Sequence, residues 1–336
     1  MVQGVVGGAG RDQPHSPPAR LDAARSAGTA VAQLPQVVVL LSTYNGAAYL
    51  EAQLESLRVQ QGVSVRLHAR DDGSTDGTCA ILRRYQAVWP DLIDMEAGPN
   101  LRAAASFLRL LHTAPQAEYY AFCDQDDIWQ PDKLARAIAA LEDHSEPALY
   151  CSTMTLVDQD LKVLTISAPY GDLSLRHLLF ENVATGCTMV FNAAARKLID
   201  SLDPSPGAIL MHDWWCALVI TALGTVRYDA RPTVLYRQHG GNVVGFDTNR
   251  LVQIGKHLAR LRRQRRSFYP VHAQAAELLK AIGPRLSERN HADLAGFTAS
   301  KRSLGTRVRY AVSGPVTRQR TIDAVMVRCL ILLGWY

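Results

Sequence analysis

The segment between residues 36 and 150 alternates strand-like apolar runs with segments whose apolar residues recur at helical spacing. No other feature of the chain constrains its fold as strongly. Four runs predict strands: Val37–Leu41, Val63–Ala69, Leu92–Met95 and Tyr119–Cys123. Four intervening segments predict helices: Ala47–Gln60, Asp76–Tyr85, Ala103–His112 and Pro131–Leu141. Alternation of this kind predicts an α/β fold with a Rossmann-like, mostly parallel sheet flanked by helices.

Polar clusters directly follow three of these predicted strands. They are Ser42-Thr43-Tyr44-Asn45, Asp71-Asp72-Gly73-Ser74 and Asp124-Gln125-Asp126-Asp127. Because ligands of parallel α/β sheets bind beyond the carboxyl ends of the strands, the three clusters predict one shared site. The last cluster holds three carboxylates within four residues, which is costly unless a hard cation or hydrogen bonds offset the repulsion. It therefore indicates a divalent metal between protein and phosphate oxygens.

The whole chain divides by composition as well as by pattern. Residues 1–35 are rich in Gly, Ala, Pro and Arg and lack a continuous apolar stretch, so they are predicted to be a disordered extension. Residues 36–245 are predicted to be one catalytic domain, with a nucleotide-binding half over 36–150 and an acceptor half over 151–245. Residues 246–336 are predicted to be a basic, helical C-terminal region.

The acceptor half is predicted to contain three strands and one helix. The strands are Ala148–Met154, Thr185–Asn192 and Thr233–His239, and the helix is Met211–Leu223. The last strand leads into Gly240, Gly241 and Asn242, which suit a mobile lid over a site.

Charge and cysteine content narrow the class of protein. A net charge of +5 is mildly basic and fits an anionic ligand or an acidic surface. The six Cys occur singly and without CxxC spacing, so neither a zinc site nor a disulfide framework is expected, and a reducing, cytoplasmic location is favoured. No stretch of about 18 apolar residues occurs, so no transmembrane helix is predicted.

A run of arginines in the C-terminal region lies beside an apolar stripe at helical spacing. The stripe is Leu251, Ile254, Leu258 and Leu261, and the arginines are Arg260, Arg262, Arg263, Arg265 and Arg266. Two interpretations stay open: a solvated helix face, or peripheral contact with an anionic membrane at the cytoplasmic face of the inner membrane. Neither an aromatic platform nor a recognition motif accompanies the run, so nucleic acid is not an expected partner.

Five motifs occur in a fixed order along the chain. They are Ser42–Gly46 (STYNG), Asp71–Thr78 (DDGSTDGT), Asp124–Trp129 (DQDDIW), His212–Trp215 (HDWW) and Tyr236–Asn242 (YRQHGGN). Through them, residues 36–245 resemble family 2 glycosyltransferases of the GT-A fold, and within these the bacterial rhamnosyltransferases. The chain departs from the family pattern at one position. The family usually carries Gly two residues after Asn100, where this chain has Arg102.

The resemblance implies a nucleotide-sugar donor, an inverting transfer and Mg²⁺ or Mn²⁺ as cofactor. By the same resemblance Asp126 ligates the metal, and His239 and Arg237 belong to a loop that closes over the diphosphate, with His239 as a further metal ligand. Asp124 then meets the ribose or the water shell of the metal, and Asp127 faces the donor sugar or the acceptor.

The nucleotide is expected to bind at the ends of the first two strands. The resemblance places Asp71 and Asp72 beside the pyrimidine and ribose of a dTDP- or UDP-linked donor, where a carboxylate can accept the N3–H of thymine or uracil. It places Ser42 and Tyr44 along the base, with Tyr44 stacking on it.

The catalytic base is expected in the acceptor half. Inverting transfer is a single in-line displacement, so the acceptor hydroxyl must lose its proton on the far side of the sugar. Asp213 matches the base of the family, and the N-terminus of a helix tends to hold an Asp ionised.

Simpler interpretations exist for each motif. The Asp71–Ser74 cluster is compatible with a turn and a helix cap, and Asp213 with a cap alone. The Asp124–Asp127 cluster is compatible with a solvated loop at a strand end, and His239 with a hydrogen-bonded loop residue. The two Trp residues, Trp214 and Trp215, suit either the core or an acceptor wall.

The sequence therefore predicts a metal-dependent inverting glycosyltransferase that transfers a sugar, rhamnose from dTDP-rhamnose by resemblance, to a glycan or lipid-linked oligosaccharide in cell-surface polysaccharide synthesis. One alternative is a sugar-nucleotide nucleotidyltransferase, although Ser42–Gly46 lacks the Lys or Arg expected of a triphosphate loop. A second alternative is a catalytically silent glycan-binding protein, against which the intact Asp126, Asp213 and His239 argue.

Overall fold

The structure is a computed structural model that describes residues 33–205, 207–240 and 271–336. Its first part alternates strands and helices: β1 (Gln36–Thr43), α1 (Leu50–Arg58), β2 (Ser64–Asp71), α2 (Thr78–Val88), β3 (Ile93–Ala97), α3 (Ala103–Thr113), β4 (Tyr119–Cys123), β5 (Ile128–Trp129) and α4 (Lys133–Leu141). Each predicted strand and helix between residues 36 and 150 is present, with ends that shift by a few residues.

The second part is less regular. It contains β6 (Ala148–Ser152), β7 (Thr155–Val157), β8 (Val163–Ile166), α5 (Leu175–Leu178), a 3₁₀ turn (Gly186–Thr188), β9 (Val190–Asn192), α6 (Ala193–Asp200), α7 (His212–Leu223), β10 (Thr225–Asp229) and β11 (Val234–Arg237). Residues 271–336 contain four α-helices: α8 (Val271–Ile282), α9 (Glu288–Ala299), α10 (Leu304–Ser313) and α11 (Thr321–Leu333).

A seven-stranded sheet forms the centre, in the order β10-β6-β9-β4-β1-β2-β3. Every neighbouring pair is parallel except the two that β9 makes, because β9 runs antiparallel to both β4 and β6. The mostly parallel sheet expected from the sequence is thus confirmed. A smaller sheet, β5-β11-β7-β8, was not predicted.

Strand β1 is buried on both faces. Val38 and Leu40 pack into one hydrophobic core, whereas Val37, Val39 and Leu41 pack into the core on the other face. Full burial of such a side chain contributes about 1.5–3 kcal/mol, which explains why the run is continuously apolar rather than alternating. The core therefore fixes the register of β1 against its neighbours.

That register aligns the polar clusters. Thr43 pairs with Asp71 of β2, and Leu41 pairs with Cys123 of β4, so all three strands end at the same edge of the sheet. The polar residues that follow each strand consequently meet at that edge.

Two local predictions needed correction. The strand predicted over Thr185–Asn192 begins only at Val190, because a 3₁₀ turn occupies Gly186–Thr188 and the Gly186 amide donates to the side chain of Asp213 instead of to a strand. Helix α4 begins at Lys133 with Asp132 as its N-cap residue, so Pro131 precedes the helix rather than opening it.

The C-terminal helices share a core with the second half of the sheet. Val271 and Leu278 of α8 and Phe297 of α9 belong to the same buried cluster as Trp215 of α7. The predicted Arg run at 260–266 and Asn242 lie outside the described residues. Among residues 33–205, 207–240 and 271–336, no helix combines the length and the hydropathy needed to cross a bilayer.

The loop before α3 contains an unusual backbone conformation at Arg102. Its φ is +69° and its ψ is 159°, a combination that residues other than Gly rarely adopt. The amide of Arg102 donates to Asp72 Oδ2 at 2.9 Å and to Asn100 Oδ1 at 3.0 Å, and these bonds hold the conformation. Arg102 thus keeps the backbone geometry for which the family uses Gly.

Replacing Arg102 by Gly should stabilise the protein, because Gly adopts this conformation without the steric penalty of a Cβ atom. We expect the free energy of unfolding of Arg102→Gly to be about 1 kcal/mol higher than that of Arg102→Ala. Urea denaturation of both variants measures the difference, and since both lack the guanidinium, only the backbone effect separates them. Equal stability of the two variants would show that Arg102 is not strained.

Candidate active site

A cavity of about 1080 Å³ opens at the carboxyl edge of the sheet and beside the start of α7. From the sheet side Ser42, Tyr44, Asp72, Asp124 and Asp126 line it. Residues from the second half of the chain also line it, among them His212, Asp213 and Trp214. Asp126 and Asp213, which are 87 positions apart in the chain, therefore face one cleft.

The ends of β1 and β4 are joined by an amide. Gln125 accepts a hydrogen bond from the Tyr44 amide at 2.8 Å and donates to the Tyr44 carbonyl at 3.0 Å. Tyr44 itself is half exposed on the cavity wall, and the Ser42 hydroxyl bonds to Ser106 at 2.7 Å. Gln125 was not singled out in the sequence, although its place inside the acidic cluster was visible.

The two carboxylates that follow β2 have different surroundings. Asp71 is buried and does not line the cavity; it accepts bonds from Thr43, from the Ser74 amide at 2.8 Å and from the Ser74 hydroxyl at 2.6 Å. Burial opposes ionisation here, but these hydrogen bonds outweigh it and lower the pKa of Asp71. Gly73, at a φ of +86°, makes the turn possible.

Asp72 reaches the cavity and also organises its wall. It pairs with the buried Arg70 and accepts bonds from the amides of Leu101 at 2.7 Å and Arg102 at 2.9 Å. Asp72 is therefore a buried residue that borders the cavity, whereas Asp71 supports the turn and lies outside the cavity lining.

The acidic cluster after β4 is electrostatically crowded. Burial, followed by the charges of Asp127, Asp126 and Asp213, raises the pKa of Asp124 well above its usual range. Burial and the charge of Asp126 also raise the pKa of Asp127. Asp127 is fully buried, accepts a bond from the Arg237 amide at 3.1 Å and does not line the cavity.

Arg237 and His239 both reach the cluster from the end of β11. The guanidinium of Arg237 is buried, donates to the Asp126 carbonyl at 2.9 Å and lies 4.7 Å from the centroid of the Tyr49 ring. His239 Nε2 lies 2.8 Å from Asp126 Oδ2, and its ring packs on Tyr49 at 4.7 Å. The structure thus brings together Asp126 and His239, the two residues that the resemblance gave as metal ligands.

A buried lysine lies beneath the acidic cluster. Lys133 is fully buried, and its Nζ lies 3.5 Å from the centroid of the Trp129 ring. Burial lowers the pKa of Lys133 to about 8, and the nearby charges of Cys187, Cys123 and Asp127 oppose that shift. The sequence reasoning missed Lys133, whose only signal was a cation four residues after Trp129.

A cysteine also faces the acidic cluster. Ligand atoms of Asp124, Asp127 and Cys187 lie within 4.8 Å of one another. Burial and the two carboxylates raise the pKa of Cys187, so its thiol stays protonated at neutral pH. No pattern in the sequence could have found Cys187, since it comes from a 3₁₀ turn 60 positions further on.

Asp213 lies at the start of α7 and is held by two backbone amides. Gly186 donates to its Oδ2 at 2.9 Å and Trp214 to its Oδ1 at 2.6 Å. Burial raises the pKa of Asp213 to about 6, and the hydrogen bonds limit that rise. The helix terminus alone therefore does not set its ionisation, although the group is still mostly ionised at pH 7.

His212 lines the cavity beside Asp213. Its ring stacks on Phe107 at 4.0 Å, and burial lowers the pKa of His212 to about 3, so the imidazole is neutral. A Cβ added at Gly186 would lie 3.0 Å from His212 Nε2, which explains why a glycine occupies this position. Because the His212 imidazole is neutral, it places no positive charge beside Asp213.

The residues at Asp126 suit a divalent cation. Asp126 Oδ2 and His239 Nε2 lie 2.8 Å apart. Carboxylates bind both Mg²⁺ and Mn²⁺, and imidazole binds Mn²⁺. Beside them, Asp124 and Asp127 resist ionisation because they are buried among other carboxylates, and a cation would favour their ionised forms. The donor set therefore fits the predicted metal.

Comparison with known proteins identifies the class. Residues 38–191 match the family model "Glycosyl transferase family 2". The dTDP-rhamnosyl transferase RfbG of Shigella flexneri is 30% identical over 214 residues, which cover 61% of this chain and 73% of that protein. The chain belongs to the family 2 glycosyltransferases.

Other relatives support this assignment. An uncharacterised glycosyltransferase, alr2836 of Nostoc, is 26% identical over 62% of this chain and 66% of that protein. Among solved structures, Staphylococcus aureus TarS 1–349 superposes with a TM-score of 0.54 at 16% identity, over 89% of this chain and 79% of TarS. A second TarS structure, in complex with UDP-GlcNAc, superposes equally well, over 88% and 81%. This likeness confirms the GT-A fold.

The raised pKa of Asp213 predicts a pH-dependent effect on stability. Between its unfolded pKa of 3.8 and its folded pKa of about 6, the folded protein holds a proton that the unfolded chain has released, so stability falls as pH rises. Above that range the folded state bears the full cost of the buried charge. Asp213→Asn cannot ionise and should gain about 2 kcal/mol relative to wild type between about pH 4.5 and about pH 7.5.

Urea unfolding of wild type and Asp213→Asn at the two pH values measures this gain. The matched control is Asp143→Asn, which alters an exposed carboxylate. Its difference from wild type in free energy of unfolding should be the same at both pH values. If the difference between Asp213→Asn and wild type is the same at both pH values, the pKa of Asp213 is not raised.

Proposed function

We propose that this glycosyltransferase is metal-dependent and inverting, and that it moves a sugar from a nucleoside diphosphate donor to a hydroxyl of a glycan or lipid-linked oligosaccharide. The observation that carries the proposal is the shared cavity, which Asp126 lines from the sheet edge and Asp213 from α7. Inverting transfer needs charge stabilisation at the departing diphosphate and a proton acceptor on the opposite side. Asp126 and Asp213, which line the same cavity, are proposed to supply one each.

The donor is proposed to bind at the ends of β1 and β2. Tyr44 offers an exposed ring for stacking on a base, and Asp72 offers a carboxylate that can accept the N3–H of thymine or uracil. Ser42 lines the same wall, and Asp71 holds the turn from behind. The 30% sequence identity to the dTDP-rhamnosyl transferase RfbG supports dTDP-rhamnose as the donor.

Asp126 and His239 are the proposed ligands of Mg²⁺ or Mn²⁺, with Asp124 beside them at the ribose or the water shell of the metal. When bound, such a cation stabilises the charge that develops on a departing diphosphate. The Arg237 guanidinium, which bonds to the Asp126 carbonyl, holds this part of the chain in place, and Asp127 fixes the Arg237 backbone in turn.

Asp213 is the proposed general base. As the acceptor oxygen bonds to the anomeric carbon, the bond from that carbon to the diphosphate oxygen breaks, and the hydroxyl proton passes to the Asp213 carboxylate. Each carboxylate oxygen already accepts one amide hydrogen bond but has a second lone pair for a substrate. A pKa of about 6 leaves the group ionised at neutral pH yet basic enough to take a proton.

The acceptor is proposed to enter from the side of the cavity formed by the second half of the chain. Trp214, Tyr170 and Tyr228 line that side, and aromatic faces suit the apolar faces of sugar rings. Synthesis of a cell-surface polysaccharide at the cytoplasmic face of a membrane is the proposed setting. All six cysteines are free thiols, in keeping with a reducing compartment.

Asp126→Ala should abolish metal-dependent donor binding, because the variant loses a charged ligand at the proposed cation site. We expect dTDP or UDP binding in Mn²⁺ to weaken at least tenfold in isothermal titration calorimetry. Asp91→Ala, which alters an exposed carboxylate between α2 and β3, should bind as wild type does. Unchanged nucleotide affinity in Asp126→Ala would remove this residue as a ligand.

Asp213→Asn should lower turnover with little change in nucleotide affinity, since the base acts on the acceptor and not on the donor. A loss of about 10²- to 10⁴-fold in kcat is expected. The wild-type rate should rise with pH to a plateau above about 6, following the pKa of Asp213, and the residual rate of the variant should lack this inflection. Transfer kinetics with a panel of nucleotide sugars test both points; wild-type turnover in the variant would disqualify Asp213.

A further inference from the structure

The last two helices carry large apolar side chains that the structure leaves exposed. On α10 these are Leu304, Val308 and Val312, spaced four residues apart. On α11 they are Ile322, Val325, Met326, Leu332 and Leu333, again at helical spacing. Val312 is 74% exposed and Ile322 68% exposed, so these are not partly buried core positions. Each helix therefore has one apolar stripe facing its own core and a second facing outward.

The two outward stripes lie on neighbouring, antiparallel helices. Arg328 of α11 donates to the carbonyls of Ala311 at 2.6 Å and Gly314 at 3.0 Å, which lie at the end of α10. At the other end of the pair, the Arg307 guanidinium of α10 packs against Gly334, directly after α11. We name the eight exposed apolar residues of this pair the C-terminal apolar face. An exposed apolar grouping of this kind marks an interaction surface.

The charge around this face is one-sided. Residues 300–336 contain seven Lys and Arg and one acidic residue, Asp323, a balance of 7 − 1 = +6. Lys301, Arg302, Arg309 and Arg320 are exposed. Basic side chains near an anionic bilayer each strengthen binding, whereas two copies of this face would bring like charges together. The charge pattern therefore favours an anionic lipid surface over a second copy of the chain.

The same segment borders the proposed acceptor side of the cavity. Arg318, Gln319, Arg320 and Asp323, between α10 and α11 and in the first turn of α11, line the cavity. Ile322 of the C-terminal apolar face lies in the chain between two residues that line the cavity, Arg320 and Asp323. The face is therefore directly linked to the cavity wall through the first turn of α11.

We propose that the C-terminal apolar face docks α10 and α11 in the plane of an anionic bilayer, and that docking presents the acceptor side of the cavity to lipid-linked substrate. Amphipathic helices with a basic rim bind in this way without spanning the membrane. In the sequence, this surface follows the Arg run at 260–266 and includes none of its residues. Docking itself does not depend on the reaction, but the lipid-linked nature of the acceptor rests on the proposed function.

Sedimentation of the full chain with vesicles tests docking. Vesicles of pure phosphatidylcholine and vesicles containing about 30% phosphatidylglycerol provide the neutral and anionic arms. We expect binding to the anionic vesicles and at least tenfold weaker binding to the neutral ones. The double variant Val312→Asp/Ile322→Asp should lose at least tenfold in vesicle affinity. The control Val59→Asp/Val88→Asp, which alters exposed apolar residues on the nucleotide side, should bind as wild type does.

Donor hydrolysis without vesicles keeps the two proposals apart. Both double variants should hydrolyse the donor at the wild-type rate, which shows that they are folded. Absence of hydrolysis in wild type would count against the proposed reaction and leave the docking result unaffected. Docking is overturned if wild type does not sediment with anionic vesicles, or if Val312→Asp/Ile322→Asp sediments as well as wild type. One further result would overturn docking. In that result, wild type does not bind vesicles, light scattering shows that it is a dimer, and Val312→Asp/Ile322→Asp is a monomer.

Discussion

Crowding of carboxylates at the carboxyl edge of the sheet is the interaction on which the structure of the site depends. The register of β1 against β2 and β4 brings Asp72, Asp124 and Asp126 to one edge, and α7 adds Asp213 to the lining of the same cavity. In a site that excludes much of the water, these charges repel one another strongly. The fold must either neutralise them or leave them to be neutralised by a ligand.

The fold does both. It neutralises the carboxylates that follow β2 and leaves those that follow β4 for a ligand to neutralise. After β2, the amides of Leu101 and Arg102 and the buried Arg70 satisfy Asp72, and hydrogen bonds lower the pKa of Asp71. After β4, by contrast, the pKa values of Asp124 and Asp127 are raised despite the buried Lys133 below them. The raised pKa values mean that ionising both Asp124 and Asp127 is unfavourable here, and a cation held by Asp126 and His239 would offset that cost.

The sequence did not predict β10 of the central sheet and began β9 too early. It was sufficient for β1 to β4, because apolar residues mark each of these strands and burial on both faces makes β1 continuously apolar. Polar clusters directly after these strands then locate the site. Side chains such as Cys187 and Lys133 could not be found, because burial and not local pattern brings them to the acidic cluster. The 3₁₀ turn at Gly186 was also hidden, since it depends on a bond to Asp213 that only the fold creates. The positive φ of Arg102 was signalled by the glycine of the family but not by Arg itself.

Diffraction from crystals of the protein grown with dTDP and Mn²⁺, measured at the manganese absorption edge, tests the central claim most directly. The account predicts one anomalous peak in contact with the carboxylate of Asp126, inside the cavity that Asp213 faces, with the diphosphate beside it. Nucleotide density in this cavity without a manganese peak at Asp126, or a manganese peak outside the cavity, would contradict it.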